Sequence, residues 1–166
     1  MQIVRSFIAA FTVITVFTGL VAASVAGANN ETNVSRGLTA KGYGLAVHGY
    51  DVVAYYTKGR PTIGRAKFSA VHNAATYRFA SEGHLKAFTD DPEKYLPQYG
   101  GYCAYGVAVG AKFDGDPHQW RIVAGKLYLN LNQEVQKLWR SDIPGSIKKA
   151  DRNWSKIATK TPNDLS

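Results

Sequence analysis

The chain has 166 residues, with 20 Lys and Arg against 12 Asp and Glu, a formal charge of +8 and a pI of about 9.6. Its basic residues are scattered, form no run of five and accompany no nucleic-acid motif. The charge therefore reads as solubility with a weak bias towards anionic surfaces, and nucleic acid is not an expected partner. One cysteine, Cys103, excludes an internal disulfide.

The N-terminus has the features of an export leader. Arg5 provides a short basic start, Phe7 to Val21 is apolar and uncharged, and Ala26-Gly27-Ala28 fits an A-x-A cleavage pattern. Residues 1–28 are predicted to be a signal peptide, with Ser24-Val25-Ala26 as a second cleavage pattern. A periplasmic or secreted product without a stable membrane anchor is expected. The competing assignment is a membrane anchor, because the apolar run approaches the roughly 18 residues of a span. Cleavage after Ala28 removes Arg5 and no acidic residue, lowering the formal charge from +8 to +7. In an oxidising compartment a lone thiol must be buried, metal-bound, reactive or paired with another chain.

Residues 29–42 are rich in Asn, Thr, Ser and Gly and are predicted to be a flexible linker. Residues 43–158 are predicted to form a single domain, and 159–166 a flexible tail. Asn30-Glu31-Thr32, Asn33-Val34-Ser35 and Asn153-Trp154-Ser155 match the glycosylation triplet, which has meaning only in a eukaryotic secretory pathway.

Within the domain, Val52 to Thr57 is a β-branched and aromatic run stopped by Lys58-Gly59-Arg60-Pro61, and it predicts a strand. His48-Gly49-Tyr50-Asp51 before it predicts a turn that draws a histidine towards a carboxylate. Lys67 to Val71 and Ala75 to Phe79 predict a hairpin about His72-Asn73-Ala74. Ser81 caps a predicted helix carrying His84, Leu85 and Phe88, and Asp91-Pro92 opens a short helical turn.

The stretch Tyr99 to Val109 surrounds Cys103 with Tyr99, Tyr102 and Tyr105. A helix beginning near Gly101 to Cys103 and closed by Gly110 is favoured over a strand, and free amides at its start would favour a thiolate. Burial as a small apolar residue is nonetheless the leading expectation for Cys103 itself, because free cysteine is among the most buried residue types. A second hairpin is predicted about Ala124-Gly125. Two C-terminal helices follow, one capped by Asn132, the other carrying Ile147, Ala150, Trp154 and Ile157.

The histidines at 48, 72, 84 and 118 form no H-x-x-H or H-E-x-x-H pair, and Cys103 lies in no C-x-x-C. A metal site would have to be assembled from separate segments. Asp114-Gly115-Asp116 lacks the remaining ligands of a calcium loop and reads as a turn. There is no G-x-S-x-G, phosphate loop or dinucleotide fingerprint, so catalysis is not the leading expectation. The remaining enzyme reading uses Cys103 as nucleophile with a histidine base. Tyr102 and Tyr105 are candidates to line an aromatic ligand pocket, with simple packing around glycines as the alternative.

Asp51-Val52-Val53-Ala54, the run Ala75 to Phe88 and Asp91-Pro92-Glu93-Lys94-Tyr95 together resemble the YHS domain family over about a third of the chain. The stretches from Gln98 to Cys103 and from Asp142 to Trp154 look like an exported bacterial branch of it. The resemblance implies a small α+β module, treble-clef-like, with a small antiparallel sheet and short helices, extended here by the two C-terminal helices. It also implies metal handling through cysteines. This chain has Ala54, Ala80 and His84 where the family pattern has cysteine, so the thiolate site does not carry over. A replacement set of His84, Cys103 and His48, with Asp51 as ligand or support, is the expected metal site, and its imidazole and thiolate donors suit copper or zinc. The corresponding function is a non-catalytic binding module for a transition metal ion. A metal-free scaffold or small-ligand-binding protein is the alternative.

Overall fold

The computed structural model describes residues 30–35 and 43–165. The predicted signal peptide, residues 29 and 36–42 of the predicted linker and residue 166 of the predicted tail lie outside the described residues. Among the described residues no helix is long and apolar enough to cross a membrane.

The fold is α+β. Strand β1 (Val34–Ser35) pairs antiparallel with β2 (Leu45–Ala46), and helix α1 covers Ala54–Thr57. Strands β3 (Arg65–His72) and β4 (Ala75–Phe79) form the first predicted hairpin. Asn73 and Ala74 both have positive φ, 47° and 57°, which matches the right-handed twist of the strands. The sheet order is β1-β2-β4-β3, antiparallel at β1–β2 and β3–β4 and joined through the single parallel pair Leu45–Thr76; the small antiparallel sheet expected from sequence is present. Helix α2 (Glu82–Asp90) starts at Ser81, whose hydroxyl accepts from the His84 amide; α3 covers Pro92–Tyr95.

Helix α4 covers Ala104–Ala108 and ends before Gly110 at φ 88°, as the sequence predicts. Strands β5 (Asp116–Val123) and β6 (Lys126–Asn130) form the second hairpin through Ala124 and Gly125. Helices α5 (Gln133–Ser141) and α6 (Ile143–Ile157) are capped by Asn132 and Asp142. Pro144 sits in the first turn of α6, where its missing N–H costs nothing, so the helix begins at Ile143, four residues before the first residue of its predicted stripe, Ile147.

Strand β6 divides the interior in two. Leu127 and Leu129 join Val52, Tyr55, Tyr77, Phe79 and Phe88 in one core, while Tyr128 joins Tyr99, Tyr102, Val107 and Trp139 in the other. Alternation of side chains across a strand makes this division automatic. Ala150 and Ile157 are buried in the second core, with Ile147 and Trp154 packed against it, so the predicted stripe of α6 is the face that packs.

Three expectations require correction. Val52 to Thr57 is not a strand: the Asp51 carboxylate accepts from the Val53 and Ala54 amides and turns the chain into α1. These bonds outweigh the β preference of Val and Tyr, which measures side-chain packing more than backbone bias. Residues 30–35, predicted to be flexible linker, lie against the body as a strap: the Glu31 amide donates to Ala158 O and the Asn33 amide to Gly100 O. The predicted tail is also tied down, since Lys160 O accepts from Lys112 and a 3-10 turn covers Pro162–Leu165.

Candidate functional site

Asp51 is the most constrained polar residue in the fold. Its side chain is fully buried, and Oδ1 accepts from the Val53 and Ala54 amides at 2.9 and 3.2 Å. Oδ2 accepts from the Ala80 amide at 2.8 Å and meets His84 Nδ1 at 2.6 Å. A carboxylate with both oxygens so engaged has no role as a donor, so the Nδ1 proton belongs to the imidazole. The opposite ring nitrogen, Nε2, lies 3.2 Å from the hydroxyl of exposed Thr57, and 15% of the His84 side chain reaches solvent.

Three elements meet at this chain of contacts. The turn before α1 presents Asp51, the first turn of α2 presents His84, and the end of α1 presents Thr57. The Thr57 hydroxyl also lies 3.1 Å from Val53 O. Its single proton has two acceptors in reach when Nε2 is bare, and is committed to Val53 O when Nε2 carries a proton. The result is an oriented imidazole, backed by a buried carboxylate and facing the surface beside a hydroxyl.

The structure separates the other two expected ligands from this pair. His48 Nε2 lies 3.0 and 2.9 Å from the two carboxylate oxygens of Asp114, so its carboxylate partner is Asp114 and not Asp51. Asn33 Nδ2 donates to the same carboxylate at 2.6 Å, joining the strap to this contact. Burial alone would raise the pKa of Asp114, but the His48 and Asn33 hydrogen bonds together hold it below the usual carboxylate range. Val47, His48 and Gly49 all have positive φ, and for β-branched Val47, at 46°, this is strained backbone.

Cys103 is fully buried at the start of α4. Its sulfur accepts from the Gly106 amide at 3.3 Å and lies 3.8 Å from Asn130 Oδ1. Burial pushes the thiol up, overriding backbone amides that would lower it, so the helix start does not produce a thiolate. Among the described residues, no group of three or more His, Cys, Asp and Glu side chains is placed to hold a metal ion. Of the four expected ligands, Asp51 and His84 are brought together, while His48 and Cys103 each have separate partners.

Tyr102 is buried and its ring is covered by the protein's own cation, with Lys112 Nζ 4.9 Å from the ring centroid and equally close to that of Trp154. The Lys112 side chain is fully buried and donates to Glu31 Oε2, Ala158 O and Lys160 O, which satisfies all three of its N–H groups. Tyr105 is half-buried against the second core. Lys112 thus covers the Tyr102 ring, and Tyr102 also lines a cavity of about 450 Å³ with Phe113, Asp114 and the strap. Asn153 is similarly committed, donating to Val107 O and Ala108 O at the end of α4.

Thr57, Asp114, Asn130 and Lys112 were not among the residues singled out from sequence. Asp114 carried a weak signal in Asp114-Gly115-Asp116; the others carried none, because each acts through a partner 27 to 81 positions away. Compared with protein-family models, with curated proteins and with solved structures, the chain matches none.

Proposed function

We propose that this chain is an exported, YHS-like binding module that handles a transition metal ion, copper before zinc, without catalytic turnover, and that His84 is its donor. The observation that carries this reading is the 2.6 Å contact between Asp51 Oδ2 and His84 Nδ1. Metal-ligating histidines almost always donate their second ring N–H to a carboxylate or carbonyl, which fixes the tautomer and raises the basicity of the ligating nitrogen. Asp51 supplies that support, and its three backbone donors hold it in place. His84 also occupies a position where the family pattern has a cysteine ligand. One imidazole leaves most positions of an ion open to water or to donors from a partner, which suits transfer better than storage.

Titration of the protein with Cu(II) and with Zn(II), beside His84→Ala, Asp51→Asn, His48→Ala and Cys103→Ser, tests the reading. Binding is expected to be lost in His84→Ala and weakened about 10–100-fold in Asp51→Asn. It should be unchanged in the other two. Equal titrations for His84→Ala and the unaltered protein would remove His84 from the site.

A second reading rests on the 3.2 Å separation of His84 Nε2 and Thr57 Oγ1. Carboxylate, imidazole and hydroxyl in this order form an orienting group, a base and a nucleophile. Thr57 replaces buried Cys103 as the candidate nucleophile in that reading. Covalent labelling of Thr57 by an acylating probe, abolished in Thr57→Ala and in His84→Ala, would favour it over metal handling.

A further inference from the structure

A cavity of about 180 Å³ lies between the strap and the body, far in character from the His84 site. The strap provides Asn30 and Thr32, the β3–β4 turn provides Asn73, and the segment before α4 provides Gln98. None of these four side chains has a hydrogen-bond partner in the protein among the described residues. Tyr77, only 2% exposed, also lines the cavity, and its hydroxyl is likewise without a protein partner. The ring is buried while the hydroxyl opens into the cavity, where it is free to bond a ligand.

The aromatic part of the wall is Tyr99 with Trp154, whose rings meet edge to face at 5.8 Å. Glu93 is the one charged residue in the lining. Its carboxylate and burial both push the Tyr77 hydroxyl up, burial more strongly, so that group stays a neutral donor. No cation lines the cavity, which disfavours anions despite the positive charge of the chain.

Volume narrows the ligand further. Pockets for drug-sized molecules run to about 300–1,000 Å³, and a water in the liquid takes about 30 Å³. This cavity therefore holds something near six waters in size. Unspent amides offer donors and acceptors in equal number, the match for a molecule carrying several hydroxyls.

We propose that this cavity binds a neutral, polyhydroxylated ligand of monosaccharide size, hydrogen-bonded by Asn73, Gln98 and the Tyr77 hydroxyl and walled by Trp154 and Tyr99. Because Asn30 and Thr32 come from the strap, the bound ligand holds the strap against the body. The proposal does not involve His84 and stands or falls apart from the metal reading.

The test is calorimetric titration of the protein with glucose, galactose, N-acetylglucosamine and glycerol, with choline and inorganic phosphate as comparators. Saturable binding of at least one sugar is expected, with a change in tryptophan emission. Gln98→Ala and Tyr77→Phe should each weaken it about fivefold, the equivalent of one hydrogen bond. His84→Ala should leave it unchanged. Gln98 is half-buried and unbonded, so its variant remains decisive if Tyr77→Phe fails to fold. Absence of saturable sugar binding, tighter binding of choline than of any sugar, or unaltered affinity in Gln98→Ala would each overturn the proposal.

Discussion

Replacing Asp51 by Asn exchanges one carboxylate oxygen for an NH2 group and tests the logic of the His84 site. The four donors around the carboxylate form two pairs, the Val53 and Ala54 amides on Oδ1 and the Ala80 amide with His84 Nδ1 on Oδ2. A side-chain amide has one accepting oxygen and can serve only one pair. If its nitrogen faces the second pair, His84 can respond by moving its proton to Nε2, but the Ala80 amide remains without an acceptor. The opposite orientation strands the amides that start α1. An orphaned buried donor costs about 1–3 kcal/mol, and hydrogen bonds to a charged group are worth about 1.5–3 kcal/mol against about 1 for neutral ones. The expected loss is about 3–5 kcal/mol, a large share of the ~5–15 kcal/mol that stabilises a domain. Urea denaturation measures the loss, and ¹⁵N chemical shifts of the imidazole report the tautomer. An Nδ1 proton that stays reports the second orientation and one that moves reports the first; a loss below ~1 kcal/mol would refute the account.

Four further outcomes are expected. Glu31→Ala removes the carboxylate paired with buried Lys112, and should lower stability by about 3 kcal/mol or more and speed proteolysis at both chain ends; equal proteolysis rates would show that the strap is not held by this contact. Gly100→Ala places a methyl group 2.4 Å from Glu31 O at a residue with φ 62°, so hydrogen exchange at the Asn33 amide should rise sharply, and unchanged protection there would contradict the close approach. The raised Cys103 thiol should resist alkylation in the folded protein at neutral pH and react once urea unfolds it; fast native alkylation would contradict its burial. Asp114 has a folded pKa below its unfolded one, so its stabilisation is present above pH ~4 and disappears as pH falls through the folded value. With the pair about half exposed, the effect is below ~1 kcal/mol, and Asp114→Asn should flatten only this acid limb of a stability–pH curve.

Both hairpins, the caps at Ser81 and Asn132 and the packing stripe of α6 were legible along the chain. They depend on interactions within a few residues: a two-residue turn, a side-chain oxygen reaching the third amide, a repeat of 3.6. Half of the candidate site was legible too, since His84 and Asp51 were both singled out. Their pairing was not: His48 lies three residues from Asp51, yet the residue that meets Asp51 is 33 positions away. Nearness in sequence could not settle that competition, because the turn at Val47 to Gly49 points His48 to Asp114 instead.

The fate of Cys103 was also open until the chain folded. A cysteine at a helix start can be an activated thiolate or a buried cap, and the amides there are the same in both cases. What separates them is the loss of water around the sulfur, which here comes from α4 packing on β6 and the second core. Strap and tail follow the same rule. Their polar composition fits a flexible segment, but Lys112, 81 residues from Glu31, needs a carboxylate and two carbonyls once Tyr102 and Trp154 enclose it. Local pattern decided which elements form, and desolvation of particular polar groups decided which of them meet.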